Sequence, residues 1–131
     1  MAASALSRKL LLRPGCRVAL VNAPEGYAER LQPLPEGAAV VEPTASGVDV
    51  VQVFVRDMAD LDRLATAFGS AGPDGLLWVS YPKGGRKAGT DLNRDVLWER
   101  MSTYGQAGVT LVAVDETWSA MRFRPADRVG T

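Results

Sequence analysis

Three segments of this 131-residue chain bring together side chains able to do chemistry. The first is Asn22-Ala23-Pro24-Glu25-Gly26-Tyr27. Asn22 offers an amide that can hydrogen-bond a ligand, and Glu25 a carboxylate that can bind a hydroxyl or act as a base. The same residues suit a plain turn, with Asn22 and Pro24 shaping it and Glu25 favouring the start of a helix. The second segment runs from Pro82 to Asp91 and holds Lys83, Arg86 and Lys87 among Gly84, Gly85 and Gly89. With the backbone N–H groups of a helix start near Thr90 and Asp91, it can be read as an anion clamp. It is not a P-loop, because the spacing G-x-x-x-x-G-K-[ST] is absent. Read without a ligand, it is a solvated mobile loop ending in a helix cap. The third segment is Asp115-Glu116-Thr117. Its adjacent carboxylates could hold Mg²⁺ or act as an acid/base pair, or simply form a tight turn. Trp118, next in line, can stack on a ligand or pack in a core.

Composition removes several alternatives. Histidine is absent, which excludes Ser–His–Asp and Cys–His catalysis, histidine metal sites and histidine pH switches. Cys16 is the one cysteine, so neither an intrachain disulfide nor a thiolate zinc cluster can form, and a reducing compartment is expected. Its place before an apolar strand suits a small buried residue better than a reactive thiol. Fifteen basic residues balance fifteen acidic ones, which argues against a general nucleic-acid binder. Arg outnumbers Lys and isoleucine is missing, a bias that a GC-rich bacterial genome would explain. The N-terminus lacks a signal-peptide core, and no apolar run approaches the ~20 residues of a membrane span, so a cytoplasmic protein is expected.

The elements that must position these segments alternate between strand and helix. Leu6 to Leu12 can make a short helix before Pro14-Gly15. Short apolar runs predict strands at 17–22, 38–41, 49–55, 76–81 and 109–114, with a sixth at 118–124. In that last strand Met121 and Phe123 share one face, Arg122 and Arg124 the other. Helices are expected over 25–31, over 57–69 with Asp57 as N-cap, and after a cap at Thr90, Asp91 or Asn93. The 57–69 helix would bury Met58, Leu61, Leu64 and Phe68; the later one would bury Val96, Leu97, Met101 and Tyr104. The tail from Pro125 reads as loose. The apolar share of 47% and the length suit one domain over residues 1–131, with an ordered core at about 6–125. Continuous apolar strands imply an α/β fold: a three-layer, open, mostly parallel sheet of six strands. The last two lie too close in sequence for a crossover and form an antiparallel hairpin.

The strand at 17–22, the acid Glu42 ending the second strand, the strand–helix–strand of 49–81 and the terminal hairpin together resemble a Rossmann-like methyltransferase core. One strand–helix unit is missing between Val41 and Asp49. The chain also resembles a bacterial family of short Rossmann-like domains with no assigned activity. The resembling pieces are Leu20 to Tyr27, Leu77 to Lys83, Thr90 to Asp95 and Asp115 to Ser119. The resemblance implies a shortened methyltransferase-like sheet, with Glu42 at the ribose-binding position of Rossmann-like folds. It stops at the cofactor loop. Methyltransferases carry a Gly-rich loop after the first strand, and this chain has Asn22-Ala23-Pro24-Glu25-Gly26 there, with one glycine and a proline. S-adenosylmethionine is therefore not assigned, and the cofactor stays unknown.

In an open α/β sheet the carboxyl ends of the strands form the ligand crevice. That edge is expected to gather Asn22, Glu25, Gly26, Tyr27, Glu42, Lys83, Arg86, Lys87, Thr90, Asp91, Asp115 and Thr117. The expected function is a non-catalytic module binding a small anionic ligand or a partner there. A small diverged transferase using Glu25, Lys83 and Asp115 is the alternative. An oligomer formed through an apolar edge strand at 38–41 is a third reading.

Overall fold

A computed structural model describes residues 3–72 and 74–128. Six strands form one sheet: β1 (Arg17–Val21), β2 (Ala39–Val41), β3 (Val50–Phe54), β4 (Leu76–Pro82), β5 (Gln106–Ala113) and β6 (Trp118–Pro125). Four α-helices accompany them among the described residues: α1 (Ala5–Lys9), α2 (Tyr27–Arg30), α3 (Met58–Arg63) and α4 (Arg94–Ser102). The strand order is β2-β1-β3-β4-β6-β5. The first four strands are mutually parallel, whereas β6 pairs antiparallel with both β4 and β5. The link from β2 to β3 contains neither strand nor helix, so β2 is left at an edge with Val40 exposed.

The period-2 alternation of the strands divides the core in two. Val18, Val50, Phe54, Trp78, Trp118 and Ala120 lie on one face, under Leu10, Leu12, Tyr27 and Leu31. Ala19, Val51, Val53, Val79, Met121 and Phe123 lie on the other, under Leu61, Leu97 and Met101. The first face depends on how α1 is held. The hydroxyls of Ser4 and Ser7 both donate to the Leu31 carbonyl at 2.7 Å, supplying partners to the end of α2. From beneath, the Trp78 indole N–H donates to the Leu10 carbonyl at 3.1 Å. Cys16 is buried on this face, and burial pushes its thiol up, away from a reactive thiolate.

The caps follow the sequence. Asp57 accepts the Asp60 N–H at 2.8 Å at the start of α3, and Asn93 accepts the Val96 N–H at 2.8 Å at the start of α4. Other boundaries differ from expectation. The helix expected over 57–69 ends at Arg63 and continues as a 3₁₀ turn at Ala65–Ala67. Tighter bonds to Leu64 and Ala65 swing Phe68 edge-on to Tyr104, with ring centroids 5.4 Å apart. Tyr104 lies beyond α4 rather than on its buried face, and its hydroxyl donates to Asp62 at 2.6 Å. Strand β5 starts at Gln106, ahead of the expected Val109, because β6 runs on to Pro125 and pairs with it. A register irregularity between Gly108 and Thr110 accommodates the ladder. An added Cβ at Gly108 would lie 2.7 Å from the partly exposed Trp98 ring, which would have to move. After β6 the chain forms a 3₁₀ turn at Ala126–Arg128 instead of a loose tail; residues 129–131 lie outside the described residues.

Trp78 combines full burial with the indole bond that docks α1. Trp78→Phe is expected to lower stability by about 2 kcal/mol through lost volume and an orphaned Leu10 carbonyl, read from the urea midpoint. A change below about 0.5 kcal/mol would refute that role.

Candidate ligand edge

The carboxyl ends of the parallel strands and the β5–β6 turn do meet on one edge. The Lys83 N–H donates to the Thr117 carbonyl at 2.8 Å, which joins the loop after β4 to that turn. Asn22 leaves β1 in the left-handed region, at φ 60, and its Nδ2 donates to the Phe54 carbonyl at 2.9 Å. Its amide thus ties the end of β1 to the end of β3. Gly26, also left-handed at φ 79, occupies the N-cap of α2, so the exposed Glu25 does not cap that helix. Glu42 is exposed just past β2.

Tyr27 is taken from the edge into the core. Its ring meets Phe54 edge-on at 4.7 Å. Burial pushes its phenol up to about 12, against opposing effects of the Gln52 side chain and the Arg30 charge. Below it, Gln52 is buried in mid-strand and its Nε2 donates to Ser80 Oγ at 2.9 Å. Gln52 Oε1 and the Tyr27 hydroxyl are both buried without a hydrogen-bond partner among the described residues.

Three of the candidate side chains at this edge, Thr90, Asp91 and Asp115, are committed to backbone N–H groups. Thr90 Oγ1 accepts the Leu92 N–H at 3.1 Å. Asp91 does not cap α4. Its carboxylate reaches across to accept the Met58 N–H at 2.9 Å, at the start of α3. Asp115 Oδ1 accepts the Thr117 and Trp118 N–H groups, each at 2.7 Å, and its Oδ2 pairs with Arg30 at 2.8 Å. Arg30, which the sequence reading passed over, lies over the Tyr27 ring at 5.7 Å and so couples α2 to the β5–β6 turn. Burial works to raise the Asp115 carboxyl, but the Trp118 N–H, Arg30 and the Thr117 N–H outweigh it and hold it below the usual range. Trp118 packs edge-on against Phe54 at 5.2 Å.

The cations are disposed differently. The loop after β4 is shaped as a 3₁₀ turn at Gly85–Ala88, flanked and opened by left-handed Gly84, Gly85 and Gly89. It presents Lys83, Arg86 and Lys87, with Arg86 and Lys87 exposed. Among the described residues, no side-chain hydrogen bond or ion pair engages Lys83, Arg86, Lys87, Glu25 or Glu42. Among the described residues there is also no group of three or more Cys, Asp or Glu able to hold a metal ion. Clefts of about 600, 610 and 220 Å³ indent the molecule elsewhere, and none includes any of the twelve candidate residues of this edge.

No family model matches the sequence, and no curated protein does. Solved structures do. N,N-8-amino-8-demethyl-D-riboflavin dimethyltransferase (RosA) from Streptomyces davawensis matches with a TM-score of 0.52 at 12% identity, over 93% of this chain and 51% of its own. The chain has a methyltransferase-like fold. A pericyclic reaction enzyme matches at 0.48 and 11% identity, over 94% of this chain and 47% of its own. N-methyltransferase NodS from Bradyrhizobium japonicum WM9 matches at 0.45 and 16% identity, over 92% of each chain. This chain spans about half the length of the first two. At such identities the likeness is one of fold, which by itself does not fix the chemistry. No helix among the described residues is long and apolar enough to cross a membrane.

Two predictions follow from the bonds at this edge. Asn22→Ala should cost about 1–2 kcal/mol, since alanine both strains the positive φ and loses the Phe54 bond, whereas Asn22→Gly should cost less. Equal losses in chemical denaturation would show that the bond alone matters. For Asp115 the folded carboxyl lies below its ordinary value of 3.8, so it contributes stability at neutral pH. That contribution fades as pH falls from 3.8 through the lower folded value. Asp115→Asn should therefore be less stable at pH 7 and should show a shallower loss of stability in acid, measured as Tm against pH.

Proposed function

We propose that this chain is a non-catalytic binding module that holds a small anionic ligand across the carboxyl edge of its methyltransferase-like sheet. One observation carries the reading: Asp91 and Asp115 are committed to backbone N–H groups, whereas the three cations of the loop after β4 keep no side-chain partner among the described residues. Helix starts and turns at this edge expose backbone N–H groups, which only acceptors can satisfy. Asp57, Asp91, Asn93 and Asp115 do so. Lys83, Arg86 and Lys87 cannot, and they stand together without a side-chain partner among the described residues.

Among the described residues three acids of this edge keep no side-chain partner: Glu116 in the β5–β6 turn, and Glu25 and Glu42 in the loops after β1 and β2, at the other side of the edge. From β2 to β4 is three strand spacings, about 14 Å. That distance suits a ligand with hydroxyls over Glu25 and Glu42 and an anionic end over the β4 loop, the chemistry of a nucleotide or a phosphosugar. A transferase built on Glu25, Lys83 and Asp115 would need Asp115 as a working group. Its carboxylate already serves Arg30 and two N–H groups. On the proposed reading residues 1–131 act as one cytoplasmic module.

The test is a thermal-shift screen of nucleotides, S-adenosyl compounds and phosphosugars, followed by calorimetry. A phosphate-bearing hit is expected. In the triple variant Lys83→Ser, Arg86→Ser, Lys87→Ser its affinity should fall at least about tenfold, with Tm unchanged without ligand. No shift with any compound, or a hit indifferent to the triple variant, would sink the proposal.

A further inference from the structure

At the opposite edge, where β3 and β4 begin, a cleft of about 600 Å³ opens between the chain following α1 and the sheet. This volume lies within the range of small-molecule sites, about 300–1,000 Å³. Arg122 of β6 lines it. Register places Arg122 opposite Trp78, on the sheet face that α1 covers. Arg122 is half-buried, and its Nε is buried without a hydrogen-bond partner. No ion pair engages it among the described residues. The same holds for Arg13, which also lines the cleft, and for Arg124, two residues further along the strand. Burial and the neighbouring Arg124 charge push the Arg122 guanidinium below its usual value.

Two carboxylates line this cleft, and both are engaged elsewhere. Asp49 accepts the Arg17 backbone N–H at 2.9 Å, and Asp74 pairs with Arg128 at 2.6 Å. A partly desolvated guanidinium beside a like charge, with a buried N–H left over, is costly unless an anion completes it. Its planar fork matches a carboxylate or phosphate, and the nearby walls of Leu11, Val50 and Leu76 are apolar. We propose that this cleft is a binding site for a small organic oxyanion, its charged group on Arg122 and its apolar body against Leu11, Val50 and Leu76. The site is independent of the carboxyl edge and stands or falls separately from it.

Glycines mark both edges and make the test local. Gly15 and Gly75 line the cleft, while Gly84, Gly85 and Gly89 lie in the β4 loop. The ¹⁵N-labelled protein would be titrated with hexanoate, with phenyl phosphate and with the neutral control hexanamide. Hexanoate or phenyl phosphate should shift the Gly15, Cys16 and Gly75 amides in a saturable way, the stronger of the two identifying the oxyanion. Hexanamide should not. Arg122→Gln should weaken binding at least about tenfold. If that variant fails to fold, the exposed Arg13→Gln should weaken it by about threefold. Shifts confined to Gly84, Gly85 and Gly89, equal binding of hexanamide, or no shift with either anion would overturn the proposal.

Discussion

Strand β3 can give up no surface to water. All five of its residues, Val50 to Phe54, are buried, and parallel neighbours β1 and β4 occupy both of its edges. A strand in that position needs a cover on each face. The cover on one side is α3 and α4, through Leu61, Leu97 and Met101. On the other, α1 and α2 are too short to be stable alone, so they are pinned by specific bonds. The Ser4 and Ser7 hydroxyls bind the Leu31 carbonyl, and Trp78 binds the Leu10 carbonyl. The polar exception within β3 is Gln52, tolerated because Ser80 on the next strand accepts its amide.

The same sheet geometry explains why the two edges differ chemically. Strands that run parallel deliver helix starts to the carboxyl edge, and helix starts present unpaired N–H groups. Acids near that edge are recruited as acceptors, one from 33 residues away in the case of Asp91 on Met58. Cations are left over. At the amino edge the antiparallel β6 brings in Arg122 and Arg124 from the opposite chain direction. There the cleft acids are taken by Arg17 and Arg128.

Much of this was legible in the chain itself. Apolar runs located all six strands, and the alternation at 118–124 correctly separated Met121 and Phe123 from Arg122 and Arg124. Asp57 announced its cap because an N-cap is a local bond three residues long, whereas Thr90, Asp91 and Asn93 all suited the start of α4 and the structure selects Asn93. What stayed hidden was non-local. Nothing near Asp91 in sequence indicates that it serves α3. Nothing near Asp115 indicates Arg30, and Tyr104 looked like a core residue of α4 until Asp62 claimed its hydroxyl. The split of the 57–69 helix was equally invisible, because both halves keep helical spacing and only the docking of Phe68 on Tyr104 favours the tighter turn.

By itself, then, the sequence determined where the strands and helices lie, most of the faces they bury and which polar residues crowd the strand ends. Those properties depend on period, propensity and neighbours within one turn. Tertiary structure alone decided which of the crowded polar groups remain free. A carboxylate becomes a cap, a turn former or a ligand group according to which N–H is brought within about 3 Å of it, and that is settled by packing between segments tens of residues apart. For this reason Asn22, Asp91 and Asp115 serve the scaffold, while Lys83, Arg86, Lys87 and, on the far edge, Arg122 are left to meet something else.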